Sequence, residues 1–354
     1  MLFTPLQLRG VTLRNRIAVS PMCQYSAEEG RAGDWHLVHL GARATGGAGL
    51  VVFEATAVEA RGRISLHDLG LWDAEQVEPL ARIVRFVESQ GATACLQLAH
   101  AGRKASVRAP WDHGGAPLPP GEGGWSIVGP SPIAFADGYT TPVPFEQADI
   151  AGVVKAFADA ASRAQQAGFR AVEVHAAHGY LLHEFLSPIS NHREDDYGGS
   201  FEKRTRLTCE VVEAVRARLA DPVPLLVRIS ATDWVPGGWD IDQSVELAKK
   251  LKSLGADLVD CSSGGLVPTA PVATGPGYQT PFAARIRHEA GIATGAVGMI
   301  VSPEQADHAI RTGQADLILL AREMLRDPCF PLRAAAALKV EGPWPKQYLR
   351  AKPG

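Results

Sequence analysis

Cysteine is scarce in this chain: 5 among 354 residues, at Cys23, Cys95, Cys209, Cys261 and Cys329. So few, so far apart, form neither a disulfide framework nor a Cys-x-x-Cys metal pattern, which favours a reducing compartment. Excess charge is lacking as well. The 35 Lys and Arg against 38 Asp and Glu leave a formal net charge of −3, which argues against an electrostatic partner such as nucleic acid or a membrane surface. No apolar run reaches the roughly 18 residues of a membrane-spanning helix. The opening Met1-Leu2-Phe3-Thr4-Pro5 has no basic stretch leading into a long apolar one. A cytoplasmic protein is therefore expected rather than an exported one. Disorder is excluded by the 46% hydrophobic content, with 36 Gly and 25 Pro near ordinary usage. No Gly-x-Gly-x-x-Gly follows the first apolar run, which weakens a Rossmann reading.

What is present is a regular alternation. Short runs rich in Val, Ile, Leu or Ala lie at 16–22, 49–58, 92–100, 171–179, 225–231, 256–265, 292–300 and 316–324. Each is bounded by Gly, Pro or polar residues, as buried parallel strands are. Helical patterns separate them at 34–46 (with Asp34 as N-cap), 74–90, 146–167, 200–219, 241–254, 281–290 and 302–312, most ending at a Gly. Eight strands with interleaved helices predict an α/β protein built as a closed (β/α)8 TIM barrel. One domain over 1–354 is expected, rather than the two that length alone suggests. Residues 105–144, crowded with Pro and Gly but carrying Trp111 and Trp125, read as an ordered cap inserted after the third strand. Residues 327–354 read as a C-terminal extension.

In such a barrel, side chains at the strand C-termini surround the active site. Gln97, His175 and Arg228 interrupt otherwise apolar runs there, and burying them without partners costs several kcal/mol each. His175 and His178 admit three readings. Zinc needs further ligands, and no acidic or Cys residue stands at a matching strand end; a satisfied core pair is the plain alternative. The third reading is a pair of N–H donors aimed at a carbonyl or nitro oxygen, with Tyr180 within reach of the same ligand as a proton donor. After the seventh and eighth strands, Gly298 permits close backbone approach and Arg322 suits a phosphate, although a structural ion pair also explains that arginine. Ser262-Ser263-Gly264-Gly265 adds small donors nearby. A phosphate at one end, with Gln97 and Arg228 for a flat ring's polar edge, describes a flavin mononucleotide.

Longer motifs carry a resemblance. They are Leu186-Ser187-Pro188-Ile189-Ser190-Asn191-His192-Arg193 continuing through Asp196-Tyr197-Gly198-Gly199-Ser200-Phe201-Glu202, and Gln97-Leu98-Ala99-His100-Ala101-Gly102-Arg103-Lys104. Gly295-Ala296-Val297-Gly298 and the opening Leu2-Phe3-Thr4-Pro5-Leu6 with Asn15-Arg16 join them. Over essentially its whole length the chain resembles the Old Yellow Enzyme family of FMN-dependent ene-reductases, in its thermophilic-like bacterial branch. The resemblance implies that Pro21, Met22, Cys23 and Ala57 contact the flavin and that Gln97 and Arg228 bind its pyrimidine portion. Gly298, Met299, Ala321 and Arg322 would surround the phosphate, with Ala321 departing from the glycine common before that arginine. It implies that His175 and His178 hold the activating group of an α,β-unsaturated carbonyl or nitro compound, that Tyr180 protonates it, and that Tyr25 touches substrate. NADPH or NADH would be the reductant. Arg350 would act in a neighbouring subunit of a homodimer or homotetramer. No metal is expected.

Overall fold

A computed structural model describes residues 1–353. The chain opens with an antiparallel hairpin, β1 (Leu6–Leu8) and β2 (Val11–Leu13). Strands β3 (Ile17–Val19), β4 (Leu50–Ala57) and β5 (Thr93–Ala99) follow, then the short β6 (Val128–Gly129) and β7 (Val143–Pro144). The remaining strands are β8 (Ala171–Ala176), β9 (Leu225–Ser230), β10 (Leu258–Ser262), β11 (Ala293–Ala296) and β12 (Leu317–Leu320). Parallel pairing runs β3-β4-β5-β8-β9-β10-β11-β12 and closes where Ile318 of β12 meets Ile17 of β3. The expected (β/α)8 barrel is therefore the fold.

Helices lie between and after the strands. They are α1 (Asp34–Thr45), α2 (Val77–Ser89), α3 (Gln147–Gln166), α4 (Leu181–Leu186) and α5 (Phe201–Arg218). The chain continues with α6 (Ile241–Ser253), α7 (Thr280–Ala290), α8 (Pro303–Arg311), α9 (Arg322–Arg326) and α10 (Phe330–Ala337). Amphipathic spacing explains their seating: α2 buries Leu80, Ile83, Val84 and Val87 on one stripe. Gly91, Gly168, Gly255, Gly291 and Gly313 take positive φ just past their helices. Two local expectations fail. The N-cap of the first helix is Gly33, one residue before Asp34, and its N–H is accepted by His36 Nδ1 at 3.1 Å. Gly46 stays right-handed with φ −69, and Gly47 takes the left-handed turn with φ 101.

Several strands stop earlier than the apolar runs suggest. β8 ends at Ala176, β11 at Ala296 and β12 at Leu320. His178, Gly298 and Met299 thus lie in loops, and Arg322 opens a short helix rather than closing a strand. The backbone explains part of this, because His178 and Met299 have φ of 61° and 49°, which no strand accommodates.

Every second strand residue faces the barrel interior. At the N-terminal end these positions are Ala18, Leu50, Val52, Cys95, Ala171, Leu226, Leu258, Leu317 and Leu319, which form one apolar cluster with Leu6, Leu8, Val11 and Leu13 of the hairpin. The next position along several of the same strands is polar: Ser20, Glu54, Gln97, Glu173, Arg228 and Asp260, all buried. The hairpin plugs the bottom, and this buried polar layer lies towards the top.

Residues 105–144 are ordered by turns at His113–Gly115 and Pro120–Glu122 and by the parallel pair Val128↔Val143, Gly129↔Pro144. Trp125 pins this cap by donating from its indole N–H to the Arg61 carbonyl at 2.9 Å. After α10 the chain ends in an exposed 3-10 turn, Lys346–Ala351. Among the described residues no helix is long and apolar enough to cross a membrane.

Candidate active site

His175 is the last inward-facing residue of β8 and pairs in register with Arg228 of β9. Beyond it the chain makes a strained turn at His178, a conformation that β-carbon sterics make uncommon outside glycine. Neighbours hold that turn in place. The His178 backbone N–H donates to Ser230 Oγ at 2.9 Å, and Lys104 Nζ donates to the carbonyls of His178 (2.9 Å) and Gly265 (3.1 Å). Gly179 is required here, because a Cβ on it would lie 2.2 Å from the Gly265 carbonyl oxygen. His183 supports the turn from below: its Nδ1 accepts from the Gly179 N–H at 2.9 Å, and its Nε2 lies 2.9 Å from Asp233.

This turn gathers three rings. The centroid of His175 is 5.2 Å from that of His178 and 5.2 Å from that of Tyr180. Burial, and then the Arg228 charge, hold both histidines well below their ordinary pKa. Each is therefore neutral and offers one ring N–H. His178 Nε2 lies 2.7 Å from Ser262 Oγ. The His175 ring has no hydrogen-bond partner among the described residues, and its Nδ1 is wholly buried. Burial raises the Tyr180 hydroxyl well above its usual value, so it keeps its proton.

Across the rim, Cys23, Tyr25 and Tyr180 pack against one apolar cluster of Ile64, Ala101, Ala105, Val107 and Ile127. Part of that cluster is cap, so the cap walls the site. Tyr25 also has positive φ (49°) and meets Trp111 edge-on at 5.6 Å. The loop carrying Pro21, Met22 and Cys23 is anchored by Glu54, which accepts from the Gln24 N–H at 2.5 Å and faces His36 Nε2 at 2.9 Å. Glu54 stands in a β-bulge, where the register jumps from Phe53↔Leu96 to Thr56↔Leu98; a bulge re-aims a side chain in this way. Burial raises the Cys23 thiol well above its normal range, which keeps it a neutral thiol. Ala57, also buried, ends β4.

At the other end of the mouth a cavity of about 570 Å³ is lined by Ser262, Gln279, Gly298, Met299, Ala321 and Arg322, among others. That size suits a small-molecule site. Gly298 has φ 126°, and a Cβ there would lie 3.0 Å from the Gln279 amide. Gln279 shapes this floor by accepting from Ser263 Oγ at 2.5 Å and donating to the Val297 carbonyl at 3.0 Å. Arg322 forms no ion pair among the described residues, so the structural explanation for that arginine has no support. Deeper in the barrel Gln97 donates to Glu173 at 2.8 Å, and Arg228 Nε stands 2.9 Å from Asp260. Glu54, Glu173, Asp260 and Gln279 were concealed in the sequence, the carboxylates because single polar residues inside apolar runs do not reveal which way they point. Arg350 lies apart, on the exposed terminal turn, with no hydrogen bond among the described residues.

These residues fit a flavin mononucleotide. An unpaired arginine and a glycine whose Cβ would crowd its neighbours sit at one end, and a buried histidine nitrogen without a partner at the other. A family model described as NADH:flavin oxidoreductase / NADH oxidase matches residues 1–341. The chain belongs to this family, that of the Old Yellow Enzyme. It is thus an oxidoreductase that uses FMN, with a nicotinamide as reductant. Among curated members, the NADPH dehydrogenase of Geobacillus thermodenitrificans is 48% identical over 352 residues, covering 99% of this chain and 98% of that protein. The NADPH dehydrogenase of Bacillus licheniformis is 49% identical over 354 residues, covering 99% and 98%. A solved structure of morphinone reductase in complex with tetrahydroNAD is similar with TM-score 0.78 and 28% identity, covering 98% of this chain and 93% of that one. The Old Yellow Enzyme barrel described above thus extends over nearly the whole chain.

Proposed function

We propose that this Old Yellow Enzyme family member reduces the activated C=C bond of α,β-unsaturated carbonyl or nitro compounds, with NADPH as reductant. FMN held by the residues of this site would supply the hydride, and a nicotinamide the electrons to recharge it. Pro21, Met22, Cys23 and Ala57 line the flavin, Gln97 and Arg228 hold its pyrimidine portion, and Gly298, Met299, Ala321 and Arg322 hold its phosphate. His175 and His178 donate to the carbonyl or nitro oxygen, which draws electron density from the β-carbon. Tyr180 gives its proton to the α-carbon, and Tyr25 contacts the substrate from the cap side. NADPH is preferred to NADH because the relatives above carry NADPH in their names. Arg350 reaches the site of a neighbouring subunit in a homodimer or homotetramer.

One observation carries this reading: a buried, neutral His175 without a partner, flanked at 5.2 Å by a second N–H ring and by a proton-holding tyrosine. The test is anaerobic turnover of NADPH with cyclohexenone in the wild type, His175→Ala, His178→Ala and Tyr180→Phe. Loss of enone reduction with flavin still bound supports the assignment. Unchanged turnover in both histidine variants sinks it.

A further inference from the structure

The middle of the barrel interior sets two buried carboxylates against one guanidinium. Glu173 on β8 and Asp260 on β10 are both 0% exposed and flank the strand that carries Arg228, itself only 6% exposed. Arg228 pairs through Nε with Asp260 at 2.9 Å and donates from Nη2 to Ser20 Oγ at 3.1 Å. Among the described residues Glu173 takes its single hydrogen bond from Gln97 of β5 at 2.8 Å. Glu173 Oε2 and Asp260 Oδ1 have no hydrogen-bond donor among the described residues, and Asp260 Oδ2 meets Arg228 Nε as an ion pair without hydrogen-bond alignment. The other titratable groups around them are Cys95 on β5, Cys261 on β10 and His175 on β8. Burial keeps all three neutral, so none adds a cation. Two ionised carboxylates beside one guanidinium, away from water, would leave an unpaired charge that costs several kcal/mol. Carboxylates in that position retain a proton between them. Burial, and then the charge of Asp260, push Glu173 up to about 8, and burial raises Asp260 as well.

We propose that Glu173 and Asp260 hold one proton between them inside the barrel, and that reduction of the flavin is coupled to that proton. The coupling rests on the reading that Gln97 and Arg228 meet the flavin's pyrimidine portion; the shared proton does not. Two electrons and one proton convert oxidised flavin to its anionic reduced form, whose added negative charge would adjoin this layer if Gln97 and Arg228 hold the pyrimidine portion. A second ionised carboxylate there becomes more costly. At a pH where the pair has lost its proton in the oxidised protein, reduction therefore draws a further proton from solvent onto the pair. Glu173→Gln keeps an acceptor for Gln97 and removes the titrating group.

The experiment is the midpoint potential of the FMN-loaded protein as a function of pH, by spectroelectrochemistry with mediators. The wild-type curve steepens once the pair begins to lose its proton at alkaline pH, from one proton per two electrons towards two, while Glu173→Gln keeps one proton per two electrons throughout. Identical slopes in the two proteins overturn the coupling. Should Glu173→Gln fail to fold, Asp260→Asn loses the same steep limb, and an unchanged limb in that variant overturns it equally. The flavin placement is checked apart, by FMN affinity: if Gln97→Ala and Arg228→Ala bind FMN as tightly as the wild type, the coupling falls with that reading. The pair is then judged in the flavin-free protein by infrared spectroscopy. A carboxylic C=O band at neutral pH that disappears in Glu173→Gln supports the shared proton, and a wild-type spectrum in which every such band persists in Glu173→Gln, or none is seen, overturns it.

Discussion

At the N-terminal end of the barrel, inward-facing Leu50, Val52, Leu226, Leu258, Leu317 and Leu319 interlock with one another and with the hairpin's Leu6, Leu8, Val11 and Leu13. Towards the C-terminal end several of the same strands turn Glu54, Gln97, Glu173, Arg228 and Asp260 into the same interior, only one inward position further along. The first layer needs nothing but volume and apolar surface, so it is a seal. The second needs a partner for every polar atom and leaves several atoms unpaired. A buried polar layer with unmet demands stores affinity for whatever completes it. The bottom of the barrel is held by packing alone, and the top by polar pairs that are incompletely met.

The largest expected effect comes from breaking the polar layer. Arg228→Ala leaves Asp260 and Glu173 without their cation, and should cost about 3–5 kcal/mol of stability together with FMN binding. Chemical denaturation and flavin content measure both, and a variant as stable as the wild type would contradict the layer's electrostatics. Next is His175→Ala, where loss of one oxygen-directed donor should lower the rate of enone reduction by about 10²–10³, or roughly 3–4 kcal/mol of barrier, with the barrel unaffected. Stopped-flow reoxidation of the reduced flavin by the enone reads that step. Leu226→Ala probes the seal: about 3 kcal/mol of stability should be lost to a cavity, while FMN affinity and turnover per bound flavin stay as they were. If flavin binding falls in proportion, the two layers are not separable.

The smallest effect lies under the cap. Asp68 accepts from the Ile64 N–H at 2.6 Å and from Ser65 Oγ at 2.8 Å, yet burial raises it to about 7. The folded protein thus binds this proton more tightly than the unfolded chain does. Its stability contribution is present below the ordinary carboxylate range and is lost as pH rises through about 7. Thermal melts between acid and neutral pH should fall along this limb in the wild type and less so in Asp68→Asn. A limb of equal slope in both proteins would assign it to other groups.

Much of the barrel was legible because its signals are local. Apolar runs, amphipathic spacing and the glycines after α2, α3, α6, α7 and α8 depend on residues within a few positions of each other. The expected boundaries fail where a tertiary constraint ended an element, as at β12, where the strand expected over 316–324 stops at Leu320 and the chain turns through Ala321 into α9. The candidate site was legible only in its conspicuous members. His175 and Arg228 stand out against apolar neighbours, and the long motif from Leu186 marks the family. Glu54 did not stand out, since its importance comes from a bulge that aims it at Gln24 and His36. Nor did Gln279, which acts through Ser263 and the Val297 carbonyl.

By itself, then, the sequence determined a closed parallel barrel and its family, since periodicity and motif are properties of neighbours along the chain. Only the tertiary structure decided which polar groups share the interior. Gln97 meets Glu173 across 76 residues and Arg228 meets Ser20 across 208. Whether a buried charge is balanced or left one proton short depends on those distant partners, because burial removes the water that would otherwise have answered for it.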